Sequence, residues 1–87
     1  MITLPRPHRR EPTLPELAEV LYTSDLQPSE DPVPQQVRDA VDRLLADRGL
    51  AACLADVAHD MGEHPDAYTD RIAWCCRTVA AVYGDVR

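Results

Sequence analysis

Apolar residues recur most regularly between Leu50 and Tyr83, at the three- and four-residue spacing of a helical face. A first apolar series comprises Leu50, Cys53, Leu54, Val57, Ala58 and Met61. A second comprises Tyr68, Ile72, Cys75, Cys76, Val79, Val82 and Tyr83. They predict α-helices over residues 50–61 and 65–83, capped at their C-termini by Gly62 and Gly84. Because it holds both helices, we expect this stretch to organise the fold.

Two further helices are predicted earlier in the chain. Thr13 and Glu16 have the spacing of a capping box, in which each side chain accepts a hydrogen bond from the other's backbone N–H, so a helix is expected over residues 13–23. An apolar face predicts the next helix over residues 34–48, followed by Gly49 as its C-terminal cap. The face comprises Val37, Val41, Leu44 and Leu45. The proline-containing residues between the two helices are expected to be an extended connection.

Four helices without a strand predict an all-α fold, a compact bundle of short helices formed by residues 12–87 as a single domain. Residues 1–11 contain Pro5 and Pro7 and lack apolar periodicity, so we expect them to be a flexible basic arm. A chain of 87 residues is near the lower limit for a self-sufficient core. A protein partner or a homodimer is therefore expected.

The charge is distributed unevenly along the chain. The chain has fifteen acidic residues and nine basic ones, and all nine are arginines. Abundant arginine without lysine is typical of a GC-rich bacterial genome. Residues 1–11 carry a net charge of +2, from three arginines and one glutamate, whereas residues 12–87 carry −8, from six arginines and fourteen acids. Most of the folded surface should therefore repel nucleic acid and anionic lipid.

The three cysteines, Cys53, Cys75 and Cys76, lie on or beside the apolar faces and lack CxxC spacing. This pattern favours reduced cysteines that fill the core, as in a reducing compartment. The first residues lack the apolar core of a secretory signal, and no apolar run approaches the ~18 residues of a membrane span. We therefore predict a cytoplasmic protein that does not contact a membrane.

We predict no catalytic residue, no metal site and no cofactor. Five potential metal ligands lie within eight residues, namely His59, Asp60, Glu63, His64 and Asp66. The five-residue spacing of the two histidines differs from the four-residue spacing of HExxH, and a polar turn explains the cluster equally well. A Cys–His nucleophilic pair would need Cys75 or Cys76 beside one of these histidines, but no phosphate loop or nucleophile elbow accompanies it.

One segment carries a family resemblance. Val57-Ala58 and Met61-Gly62 are followed by Tyr68 and Ile72 at the spacing of two crossing helices. The segment Leu54 to Trp74, about twenty of the 87 residues, resembles the helix-turn-helix of sigma-factor region 4 and LuxR-type regulators. The resemblance implies that these positions pack inward and that the second helix faces DNA.

Under this resemblance the candidate DNA contacts are Arg6, Arg9, Arg10, His64, Thr69 and Arg71. Asp66 and Asp70 would face the DNA as well, and carboxylates there oppose the approach of phosphate. Nucleic acid is therefore disfavoured as a partner by charge.

The aromatic rings of Tyr22, Trp74 and Tyr83 are the candidate protein interface if Trp74 is exposed; alternatively, Trp74 closes the core against the first helix. We expect a small non-catalytic cytoplasmic protein, most simply a protein-interaction or regulatory module. The alternative is a small helix-turn-helix DNA-binding transcription regulator. An apolar patch rimmed by acids would favour the first, and arginines gathered beside the start of the fourth helix would favour the second.

Overall fold

The computed structural model describes residues 12–84, which are almost entirely helical. The α-helices are α1 (Leu14–Tyr22), α2 (Pro34–Asp47), α3 (Leu50–Glu63) and α4 (Pro65–Tyr83), and a 3-10 turn spans Pro28–Glu30. These residues contain no strand, so the predicted all-α bundle is confirmed, with every helix boundary within two residues of its predicted position. None of the described helices is long and apolar enough to cross a bilayer.

Helix α1 lies at the centre of the bundle. It contacts α2, α3 and α4, and its largest contact is with α4. Val20 and Leu21 are fully buried and Tyr22 is 9% exposed. Consecutive residues project to different sides of a helix, so burying three in a row requires neighbours around most of the circumference. The expectation that residues 50–83 organise the fold is thus corrected, because the shortest α-helix is the one that the others surround.

The buried side chains of the described residues form one cluster, to which all four α-helices contribute. The inward faces of α3 and α4 are narrower than their apolar series predict: Ala58 and Cys76 are exposed, and Met61 is 45% exposed. On α3 the inward stripe runs from Val57 to Asp60 instead of Met61. Asp60 points inward because its carboxylate accepts a hydrogen bond from the Tyr22 hydroxyl.

Local hydrogen bonds fix the start of α1 as the sequence predicts. The Glu16 carboxylate accepts from the Thr13 N–H at 2.9 Å, and the Thr13 hydroxyl accepts from the Glu16 N–H at 3.2 Å. This arrangement satisfies amide groups that would otherwise lack a partner in the first helical turn. The predicted capping box is confirmed.

Arginines from other elements satisfy the C-terminal carbonyls of α1 and α4. No α-helix has a basic residue in its own last turn. Arg71 donates to the Tyr22 and Ser24 carbonyls, each at 3.0 Å, and Arg38 donates to the Val82 carbonyl at 2.9 Å. Cations are favourable at helix C-termini because they complement the partial negative charge there. Arg38 forms no ion pair with Asp42, four residues further along α2, among the described residues.

The glycines differ in their backbone conformation. Gly49 has a φ of 85°, as predicted for the cap that ends α2. Gly62 lies inside α3, which continues to Glu63, so the predicted cap at Gly62 is wrong. Gly84 follows α4 as its C-terminal cap, but with a right-handed φ of −88°. His64 alone separates α3 from α4, in place of the predicted longer turn.

Replacing Gly49 by alanine should lower the free energy of unfolding by about 1–3 kcal/mol, because a side chain strains the backbone at positive φ. Gly62→Ala is the matched control. It lies in open space within a helix, so alanine should raise the free energy of unfolding by about 0.5–1 kcal/mol. Urea denaturation followed by circular dichroism measures both, and equal effects of the two substitutions would contradict the assignment.

Candidate functional site

A shallow groove of about 320 Å³ lies between α4 and the segment that leads into α2. We call it the Trp74 groove; one wall comprises Asp31, Pro32 and Pro34, and the other Trp74, Thr78 and Ala81. The α4 residues share one side of the helix because they are three and four positions apart. Asp31 has a φ of 48°, and this left-handed residue turns the chain after the 3-10 turn so that both prolines border the groove.

The Arg71 guanidinium stacks over the Trp74 indole ring. The Arg71 guanidinium carbon lies 5.5 Å from the Trp74 ring centroid and 5.4 Å from that of Tyr22. The two carbonyl hydrogen bonds at the end of α1 fix the same guanidinium. Stacking of a cation on an aromatic face is attractive, and here it orients the indole. Trp74 is therefore partly buried against the core, with one edge in the groove.

Charged residues border the apolar floor of the groove. Asp31 and Arg77 line it directly, and Asp70 lies one helical turn before Trp74 on the same side of α4. All three residues are exposed. Next to the groove, Val33 is 54% exposed. The described surface thus offers an aromatic and aliphatic patch beside two carboxylates and one guanidinium.

The net charge of the described residues is strongly negative, with thirteen acids and five arginines. Three of the arginines are engaged within the fold: Arg38 and Arg71 bind carbonyls, and Arg48 pairs with Asp56. The Arg48 hydrogen bond holds the pKa of the Asp56 carboxyl below its usual value. The arginines of residues 12–84 are therefore not gathered at the start of α4.

The three aromatic rings predicted as an interface do not lie together on the surface. Tyr22 is buried and belongs to the core, which corrects its assignment as a surface anchor. The reason is the central position of α1. Trp74 and Tyr83 are both partly buried, and Trp74 borders a groove together with apolar neighbours.

Tyr22, Asp60 and His64 form a polar cluster where α1 meets the α3–α4 junction. The Tyr22 hydroxyl donates to one Asp60 oxygen, and His64 Nδ1 lies 3.2 Å from the other. Burial, and then the hydrogen bond to Asp60, raise the pKa of Tyr22 to about 12. Tyr22 is thus protonated at neutral pH and serves as a donor. The cluster ties the single-residue junction to the central helix.

Tyr83 lies at the end of α4 beside α2. The Arg38 guanidinium carbon is 5.8 Å from its ring centroid. Burial, followed by the negative charge of Asp42, raises the pKa of the Tyr83 hydroxyl. Among residues 12–84 this buried hydroxyl has no hydrogen-bond partner.

The candidate DNA contacts on the described helices have roles within the fold. Arg71 is bound to the end of α1, and the Thr69 hydroxyl donates to the Pro65 carbonyl at 2.9 Å. His64 is exposed and lies beside the Asp60 carboxylate. Arg6, Arg9 and Arg10 lie outside the described residues.

The inward positions implied by the helix-turn-helix resemblance pack only in part. Val57 is buried, and Tyr68 and Ile72 pack against the core. Ala58 and Met61 are exposed instead. The rotation of α3 that directs Asp60 toward Tyr22 accounts for this difference. DNA binding by this segment stays a prediction.

The cysteines have different environments. Cys53 and Cys75 are buried, and burial raises the pKa of the Cys75 thiol to about 12. Cys76 is exposed, which corrects its assignment to the core, and it lines a second, apolar groove. This Leu14 groove is also lined by Leu14, Pro15, Val79 and Ala80. His59 lines a separate groove beside Tyr22 and Asp60. The exposed Cys76 thiol and the His59 ring therefore do not contact each other.

Among the described residues, no group of three or more His, Cys, Asp or Glu side chains is placed to hold a metal ion. Asp60 and His64 of the predicted polar turn bind each other. Sequence reasoning missed the far wall of the Trp74 groove, formed by Asp31, Pro32 and Pro34. The proline spacing was the available signal, but nothing local indicated that this segment lies against α4.

No protein-family model, curated protein or solved structure matches the chain.

Replacing Arg71 by methionine should lower the free energy of unfolding by about 2–3 kcal/mol, because two part-buried carbonyls lose a charged donor. Trp74 fluorescence should also shift as its stacking partner disappears. Arg77→Met, an exposed position on the same helix, should change stability by less than about 0.5 kcal/mol. A loss of stability at Arg77 equal to that at Arg71 would argue against the assigned contacts.

A thiol reagent should modify Cys76 rapidly in the folded protein and the buried Cys53 and Cys75 at least about 100-fold more slowly, since these react only after local opening. Mass spectrometry of samples quenched over time measures the rates. Cys76→Ser should remove the fast phase. If fast labelling persists in this variant, the burial of Cys53 or Cys75 is incorrect.

Proposed function

We propose that this chain is a small, non-catalytic cytoplasmic interaction or regulatory module that binds a protein partner at the Trp74 groove. The observation that supports this function most directly is a partly buried tryptophan, two prolines and exposed aliphatic residues gathered beside the Asp31 carboxylate and Arg77. Tryptophan is among the residues that contribute most to binding energy when a partner covers them.

The composition of the groove favours a particular kind of partner. An apolar side chain could cover Trp74 and the neighbouring prolines, while a basic group reaches Asp31 or Asp70. Among residues 12–84, Arg77 is the one cation that lines the groove, and the rest of the described surface is mainly acidic. A partner surface with apolar and basic residues side by side is therefore the best complement.

DNA binding through Leu54 to Trp74 is the alternative function, and it has less support. Two of the five described arginines bind helix ends and a third pairs with Asp56. The start of α4 presents Asp66 and Asp70 to solvent. Phosphate would therefore meet carboxylates at the surface that the resemblance assigns to DNA.

Ala81→Arg tests the proposed site, because Ala81 is an exposed helical residue that lines the groove. Arginine is a good helix former, so the fold should persist while its side chain fills the groove. Capture of the tagged protein's partner from cytosol should fall at least about tenfold, which corresponds to a loss of about 1.4 kcal/mol of binding free energy.

Ala55→Arg is the matched control, since it adds the same charge at an exposed position on α3 outside the groove. It should retain capture. Parallel samples treated with nuclease separate protein from nucleic acid. Equal loss in both variants, or recovery of DNA that disappears on nuclease treatment, would exclude partner binding at the Trp74 groove.

A further inference from the structure

The Trp74 groove has a candidate occupant in the chain's own sequence. We propose that the basic segment of residues 5–10, Pro-Arg-Pro-His-Arg-Arg, passes around α4 of the same molecule, places Pro5, Arg6 and Pro7 in the Trp74 groove and competes there with the partner. The competition rests on the proposed function, whereas the binding of the segment does not require it. The chemistry, charge and chain length each support this occupant.

The chemistry of the segment complements that of the groove. Pro5 and Pro7 offer flat apolar rings to the Trp74 indole, and Arg6 between them offers a guanidinium to the exposed carboxylate of Asp31. Proline-containing segments bind aromatic-lined grooves well because proline restricts the backbone beforehand and less entropy is lost on binding.

Charge attracts the segment to the body of the protein. Residues 1–11 carry three arginines and one glutamate, whereas the described residues carry thirteen acids and five arginines. Asp31 lines the groove opposite Arg77, and Asp70 lies one helical turn before Trp74. Both carboxylates are exposed, and neither forms an ion pair within residues 12–84. The attraction should weaken with salt, since the Debye length shortens from about 30 Å at 0.01 M to about 3 Å at 1 M.

The chain is long enough to reach. Helix α1 begins beside α4, where Leu14 and Pro15 line a groove with Cys76 and Ala80. The Trp74 groove lies on the opposite side of the same helix. A chain that leaves Pro12 must therefore pass around α4, a path of about 16–19 Å for a helix 10–12 Å in diameter. The six residue-to-residue steps from Pro12 back to Arg6 extend over about 20 Å. No rearrangement of the described helices is needed.

Tethering makes weak binding sufficient. A segment joined by a short linker has an effective concentration in the millimolar range, so a dissociation constant of that order leaves the groove about half occupied. A partner must then displace the segment, and its apparent affinity falls by the fraction of molecules that are closed.

Trp74 is the only tryptophan of the chain, so acrylamide quenching of its fluorescence reports on the groove in the full-length protein. Half occupancy predicts that the quenching constant at low salt rises about twofold in the R6Q/R9Q/R10Q variant. Asp31→Asn should give a similar increase. Asparagine tolerates the left-handed backbone of this position, so the substitution removes the charge without straining the turn.

Arg43→Gln and Asp47→Asn are the matched controls, at exposed positions on α2 that do not line the groove. Both variants should have the same quenching constant for Trp74 as the unaltered protein at the same salt concentration. Raising the salt to 1 M should raise the quenching constant of the unaltered protein to that of the R6Q/R9Q/R10Q variant, called the arm variant.

Equal quenching of the unaltered protein, the arm variant and Asp31→Asn at low salt would overturn the proposal. Protection of Trp74 that grows with protein concentration would also overturn it, because the segment would then bind a second copy. Neither result bears on partner capture by Ala81→Arg. Conversely, retained capture by Ala81→Arg excludes the proposed partner site and leaves the quenching result intact.

Discussion

The guanidinium of Arg71 is the contact on which the arrangement of this bundle depends most. Helix α1 has nine residues, too few to persist alone in water, so tertiary contacts must hold it. Arg71 supplies them where α1 ends, by donating to the Tyr22 and Ser24 carbonyls while stacking against the Tyr22 and Trp74 rings. One side chain of α4 thus caps the central helix, fixes the connection after it and orients the indole of the Trp74 groove.

The use of arginine inside the fold determines the character of the surface. Arg38 and Arg71 bind the carbonyl ends of α4 and α1, and Arg48 pairs with Asp56. Most acids have no such partner and face water. The described body is therefore a strongly acidic surface with little free positive charge, which favours basic protein segments over nucleic acid.

The polar cluster of Tyr22, Asp60 and His64 explains why α3 is rotated from the face that its apolar residues predict. A buried tyrosine hydroxyl needs an acceptor, and Asp60 provides one only if it points inward. Met61 and Ala58 then turn outward. The arrangement thus satisfies one buried hydroxyl and leaves Met61 45% exposed.

The sequence by itself determined the helices. Local signals are sufficient for these features, such as the Thr13–Glu16 capping box, the proline at the start of α2 and the positive φ of Gly49. The all-α class follows from them. The Trp74 groove and the central position of α1 were decided only by tertiary structure. They depend on contacts between residues far apart in sequence, such as Arg71 with Ser24, which no local pattern encodes.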